Sequence, residues 1–196
     1  GSNSTGVKWS PLVAARLALA IGDPEKAGYS LGYETNFYSQ RKGIVMGVGA
    51  TYQGETDQFS QSQMLSVDLM ANYGIFNFDA EWNYMERENE SAIFPAHTWH
   101  IRSSLNILLK NKTILEPNFM YSFFSGASGA ETVGFFDGRD LMWNVGINWY
   151  LKKKSLKLSL HYTDQDGFGN RNQYTFQNGR SVLKGDYWGL GLQVFI

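Results

Sequence analysis

A chain of 196 residues with 18% charged residues, net charge −1 and pI near 6.3 is sized for one domain and carries no basic excess that would mark a nucleic-acid partner. It has no cysteine, so disulfides and thiolate metal sites are excluded. The absence also suits a protein that crosses an oxidising compartment unfolded.

Aromatic residues make up 15%, glycines number 21 and prolines 4, a balance of strands, tight turns and aromatic girdles. The most apolar stretch, Leu12 to Ile21, is broken by Arg16. It falls short of the ~18 residues of a membrane-spanning helix. A mean hydropathy of −0.32 is what a membrane barrel can show, because only alternate residues face lipid. Gly1-Ser2 reads as a tag remnant. Residues 1–6 are assigned to such a remnant or to disorder, and 7–196 to a single β-barrel domain.

Strict alternation predicts the strands in chain order. Val13, Ala15, Leu17, Leu19 and Ile21 share one face, against Arg16 and three alanines. Tyr29 to Tyr38 alternates weakly and supplies a tenth strand if one exists. Ile44, Met46, Val48, Ala50 and Tyr52 oppose Val45, Gly47, Gly49 and Thr51. Leu65 to Tyr73 and Phe76 to Tyr84 form a pair about the tight connection Gly74-Ile75, with Asp68, Asp79 and Glu81 on their polar sides. Trp99 to Leu109 and Leu115 to Phe123 form another about Lys110 to Thr113. Within the latter, Pro117 cannot donate to a ladder and marks an edge, a bulge or a strand start. Leu141 to Leu151 and Leu156 to Thr163 form a third about Lys152 to Ser155. The chain closes on Trp188, Leu190, Leu192, Val194 and Ile196, against Gly189, Gly191 and Gln193.

Polar stretches at 54–63, 86–98, 125–140 and 164–186 alternate with the short turns. That rhythm is expected of an outer-membrane barrel with short turns on one side and loops on the other. The expected fold is an all-β, antiparallel up-and-down transmembrane barrel of about ten strands, nine clear and one weak. The faces opposite the apolar stripes carry Arg16, Asp68, Asp79, Glu81, Arg102, Glu116, Lys157 and His161 among many Asn, Ser, Gly and Thr, a composition suited to a hydrogen-bonded lumen. Trp82, Trp99, Trp143, Trp149 and Trp188 fit a membrane-interface girdle. Trp188, Leu190, Leu192, Val194 and Ile196 read as the closing-strand assembly signal.

Several stretches resemble the carboxyl-terminal half of phosphate-selective (O/P-type) porins: Ala14-Ala-Arg-Leu17, the run from Gly43 to Tyr52, Leu115-Glu-Pro-Asn-Phe-Met-Tyr121, Trp143 to Leu151 with its basic turn, and Leu156 to Tyr162. The similarity covers most of the chain, and full-length members are roughly twice this size. It implies passive, ligand-selective diffusion across a bacterial outer membrane. The expected partners are outer-membrane lipid, lipopolysaccharide, the barrel-assembly machinery and further protein subunits. Two departures matter: the last residue is Ile196 where such barrels usually end in Phe, and no ladder of Arg and Lys runs over successive inner faces. Two roles stay open, a passive diffusion channel or a structural barrel whose lumen is filled by polar side chains, as about ten strands would leave it, and the residues do not support phosphate selectivity.

Other readings rest on smaller sets of residues. Lys157, Ser159 and His161 share a face, as membrane-barrel hydrolases require of their catalytic groups, yet residues two apart on a strand are neighbours by construction, so no catalytic residue is assigned. Asp164, Asp166 and Asn170 lie on a glycine-bent loop and form a weak calcium candidate; Asp, Gly and Asn are equally turn formers, so no cofactor is required. A soluble β-barrel holding a small apolar ligand is the rival from another class.

Overall fold

The computed structural model describes residues 8–23, 41–152, 155–167, 173–175, 181–183 and 185–194. Its strands are β1 Leu12–Gly22, β2 Gly43–Gln53, β3 Gln61–Tyr73, β4 Phe76–Glu88, β5 Ile93–Leu105, β6 Ile107–Leu108, β7 Ile114–Gly126, β8 Gly138–Lys152, β9 Leu156–Gly167, β10 Gln173–Thr175, β11 Ser181–Leu183 and β12 Tyr187–Val194. The fold is all-β. Ten of these strands form a single antiparallel sheet in the order β1-β2-β3-β4-β5-β7-β8-β9-β12, with β6 also on β7, while β10 and β11 make a separate small hairpin. No described helix is long and apolar enough to cross a membrane.

The alternation in the sequence becomes a two-faced sheet, and its burial is inverted relative to a water-soluble protein. Leu17, Val48, Val67, Val145, Ile147, Leu160 and Leu190 are exposed, Leu17 at 76% and Leu190 at 82%. The opposite face carries the buried positions: Val45 and Gly47 on β2, Asn72 on β3, Glu116 on β7, Gly146 and Tyr150 on β8. Only seven described hydrophobic residues are buried, and the one cluster they form joins Ile114 to Tyr150. The sheet is held by its ladders and by the polar side chains between them.

Each sequence-expected strand lies within an observed one, except for Trp99 to Leu109, which is split between β5 and β6 with Asn106 and Leu109 in neither, the weak tenth candidate, and the last two residues of the closing strand. Tyr29 to Tyr38 lies outside the described residues, and so does Ile196. Directly on either side of that candidate, β1 and β2 pair with each other from Gly22↔Gly43 to Leu12↔Gln53. The tenth strand of the sheet is β6. β5 and β6 share one register on β7, with Ser104↔Asn118 and Ile107↔Leu115, and the break between them falls at Leu105 and Asn106, opposite Pro117. Proline has no N–H to give to the ladder; on the other side of the strand the Asn106 N–H donates to the Ile75 carbonyl at 2.7 Å, next to the Phe76↔Leu105 pair. Pro117 therefore marks an interruption in an interior strand.

The loop rhythm is looser than the sequence implies. Long connections do sit at one end of the sheet, yet β4 and β5 are joined there by only 89–92, because the charged tail of β4 and the Phe94-Pro95 start of β5 continue the ladder. The connection of residues 23–42 is long and opens and closes at the short-turn end, where the Asp23 N–H donates to Lys42 O at 2.9 Å.

Candidate functional site

The polar face is the candidate site, and the ladder registers stack its residues in rows across the sheet. One row runs Ala18, Gly47, Asp68, Glu81, His100, Ser122, Met142 and Gln165, and the next runs Ala20, Val45, Met70, Asp79, Arg102, Met120, Asn144 and Thr163. Period-two alternation places every expected polar residue here. Arg16, Asp68, Asp79, Glu81, Arg102, Glu116, Lys157 and His161 all share this side.

Two ion pairs organise its middle. The Arg16 guanidinium donates from Nε and Nη2 to both Asp68 carboxylate oxygens, at 3.0 and 2.6 Å. Asp79 accepts from Arg102 Nε at 2.8 Å and faces His100 Nε2 at 3.3 Å. Glu81 accepts from the Asn83 amide at 2.8 Å. Gly47 leaves room for this arrangement, since a β-carbon there would collide with the Asp68 carboxylate. The arginines stay wet on this face: the side chains of Arg16 and Arg102 are 45% and 50% exposed.

Nearer the short-turn end the face is drier and is built of side-chain hydrogen bonds in place of ion pairs. Arg41 donates to Asn72, whose amide donates to Asn77 at 2.9 Å, and Asn77 donates to Ser104 at 3.3 Å. The buried Glu116 accepts from the Tyr150 hydroxyl at 2.5 Å, and Lys157 Nζ lies 5.8 Å from the Tyr150 ring centre. Ser159 donates to Asn148 at 2.7 Å, so its hydroxyl is engaged away from His161. The His161 ring occupies the space above Gly189 and meets Tyr187 edge-on at 6.1 Å. The arrangement is a set of separate local networks.

At the long-loop end, the connection after β7 folds over the polar face, a feature the alternation pattern gave no sign of. Gly129 and Gly134 adopt positive φ (79° and 72°) around a single tight turn, Ala130–Val133. That turn buries Ala130 and Val133 completely. Arg87 holds it, donating from Nη1 to the carbonyls of Val133 at 2.8 Å and Gly134 at 3.1 Å, with its guanidinium between the rings of Phe59 and Phe135 at 4.7 and 4.3 Å. Beside it, Lys8 pairs with Glu55 at 2.5 Å, and that hydrogen bond holds the Lys8 ammonium above its ordinary pKa.

On the apolar face four of the five expected girdle tryptophans fall in two aromatic groups. Trp82 pairs with Trp99, which lies 5.1 and 5.8 Å from Tyr121 and Phe123; Trp143 lies 5.3 Å from Tyr162, which lies 5.1 Å from Trp188. Trp149 sits apart, near the short-turn end, donating to Thr113 at 3.0 Å. Of the calcium candidate, Asn170 and the Asp166 side chain lie outside the described residues, and no group of three metal-capable side chains occurs among those described. Leu190, Leu192 and Val194 of the closing strand stand on the exposed apolar face with Trp188.

Comparison with protein-family models, curated proteins and solved structures gives no match. The functional reading therefore rests on the two faces themselves.

Proposed function

We propose that this chain forms the wall of a transmembrane β-barrel in a bacterial outer membrane, and that the barrel acts as a porin-like conduit for small hydrophilic solutes. The observation that carries the proposal is the inverted burial: a continuous apolar face stands exposed, while the hydrogen-bonded and charged face is the crowded one. In water such a face would be a large unpartnered apolar surface. In a bilayer it is what the fold requires, because strands cross lipid with apolar side chains out and polar ones in.

Dimensions support the same reading. The apolar positions of β8 run from Leu141 to Leu151, about 33 Å at ~3.3 Å per residue, or about 25 Å of height at a tilt of ~40°, the thickness of the apolar band in such barrels. Trp143 and Trp149 stand near its two ends. The balanced ion pairs on the polar face leave no strong excess of one charge, so the conduit passes small solutes of either sign.

Folding in the presence and absence of detergent tests this. The account expects β-structure and a monodisperse species only with detergent or lipid. A folded, monodisperse, detergent-free protein overturns it and favours the soluble, apolar-ligand barrel.

A further inference from the structure

The directions of the edge strands determine how such a wall can close. β1 starts opposite Gln53 at the long-loop end and finishes opposite Gly43 at the short-turn end. β12 starts at Tyr187 opposite Thr163, also at the long-loop end, and finishes at Val194 opposite Leu156 beside the short turn. The two edges of the sheet therefore point the same way. Closing the ring by joining β1 to β12 would create a parallel seam, whereas single-chain bacterial barrels are antiparallel throughout and even in strand number.

We propose, resting on the transmembrane reading above, that β1 and β12 are not partners and that an odd number of further antiparallel strands, different in sequence from this chain, fills the wall between them. Segments within the chain cannot change this parity. Residues 23–42 leave and return at the short-turn end and residues 168–186 at the long-loop end, so any strands they add to the wall come in even numbers.

A second copy of the chain does not satisfy the geometry either. Inserted the same way up, it presents β1 to β12 in the same direction and makes two parallel seams. Inserted upside down, it pairs antiparallel but places long acidic loops and lysine-bearing turns on both sides of the membrane. The partner strands must run from the short-turn end to the long-loop end where they meet either edge. They carry apolar residues outward to continue Leu17, Leu19, Leu190 and Leu192, and small or polar ones inward beside Ala14, Ala18, Gly189 and Gly191.

Width argues for the same occupant. A ring of nine or ten strands fills its interior with side chains, yet Arg102 on the interior strand β5, inward on this reading, remains half exposed. On this proposal the sheet is an arc of a wider ring.

The chain has no native cysteine, so engineered pairs report cleanly on neighbours. In detergent, Leu17→Cys is combined in turn with Trp188→Cys, Leu190→Cys and Leu192→Cys, and treated with a short bismaleimide; Asn148→Cys with Ser159→Cys, opposed in the β8–β9 ladder, is the control. The proposal expects the control pair to link and none of the edge pairs to do so. Hydrogen exchange is expected to be at least tenfold faster at the β1 and β12 amides than in β4, β5 and β7. An intramolecular edge link means the chain closes on itself, and an edge-linked dimer means a second copy fills the gap; either overturns the proposal. Edge amides as protected as interior ones overturn it too. Failure of the control pair removes the sheet itself, and a folded detergent-free chain removes the membrane reading, so those failures are distinguishable from a wrong partner.

Discussion

Replacing Ile147 with arginine puts a charge near the middle of the apolar face of β8. Ile147 is 45% exposed, faces Pro117 and Leu160 in the neighbouring ladders, and makes no polar contact that the change would disturb. It lies four residues from Leu151 and six from Leu141, or about 10 and 15 Å along the membrane normal at ~3.3 Å per residue and ~40° tilt. The nearer edge is beyond comfortable snorkelling for an arginine head group. A charge at such depth on the lipid face of a barrel costs about 2–4 kcal/mol, which is about 30- to 700-fold in the folding equilibrium at 1.4 kcal/mol per tenfold. Urea titration of the protein in lipid vesicles reads this as a lowered midpoint with an unchanged slope. Ser91→Arg in the exposed 89–92 turn is the control, expected to stay within about 0.5 kcal/mol. If Ile147→Arg also stays within about 0.5 kcal/mol, the apolar face is against water and the reasoning fails.

Other predictions concern the polar face and its covering turn. A double-mutant cycle on Arg16 and Asp68 is expected to give a coupling of at most about 1 kcal/mol, the size for a solvated pair; a coupling above about 3 kcal/mol would mean a dry face. Arg87→Ala removes two charge-assisted hydrogen bonds and the contacts with Phe59 and Phe135, at a net cost of about 2 kcal/mol. Cleavage at Glu131 by a glutamate-specific protease is then expected to be roughly 30-fold faster, and an unchanged rate would show that Arg87 does not hold the turn. Glu116→Ala leaves the buried Tyr150 hydroxyl without its acceptor and is expected to cost about 1–3 kcal/mol, while Glu116→Gln retains most of that stability; equal losses in the two variants would refute the assigned bond.

Strand positions were readable wherever one face was apolar, because period two is then unambiguous: Leu141 to Leu151 lies wholly within β8. Strand ends were not readable where both faces turn polar. Met85, Glu86, Arg87 and Glu88 extend β4 beyond Tyr84 with no alternation to announce it, and this shortens the expected 86–98 loop to a turn. The interruption opposite Pro117 was foreshadowed by the proline, but its placement inside the sheet needed the register. The polar residues were placed on one face by parity alone; which of them touch was not, since Arg16 meets Asp68 across two ladders and 52 residues. The folded-over turn at Ala130–Val133 reads Ala-Glu-Thr-Val between Gly129 and Gly134, a composition equally suited to an open loop. The common direction of β1 and β12 appeared only when the strands were traced through their registers.

The central claim, that one face of this sheet meets lipid and the other meets water, is tested most directly by spin-label accessibility along β8 in lipid vesicles, one label at each position from Leu141 to Leu151. The account predicts a period of two, with oxygen collisions highest at Leu141, Trp143, Val145, Ile147, Trp149 and Leu151 and a water-soluble nickel chelate reaching chiefly the positions between them. Chelate accessibility at Val145 and Ile147 equal to that of the 89–92 turn would contradict it.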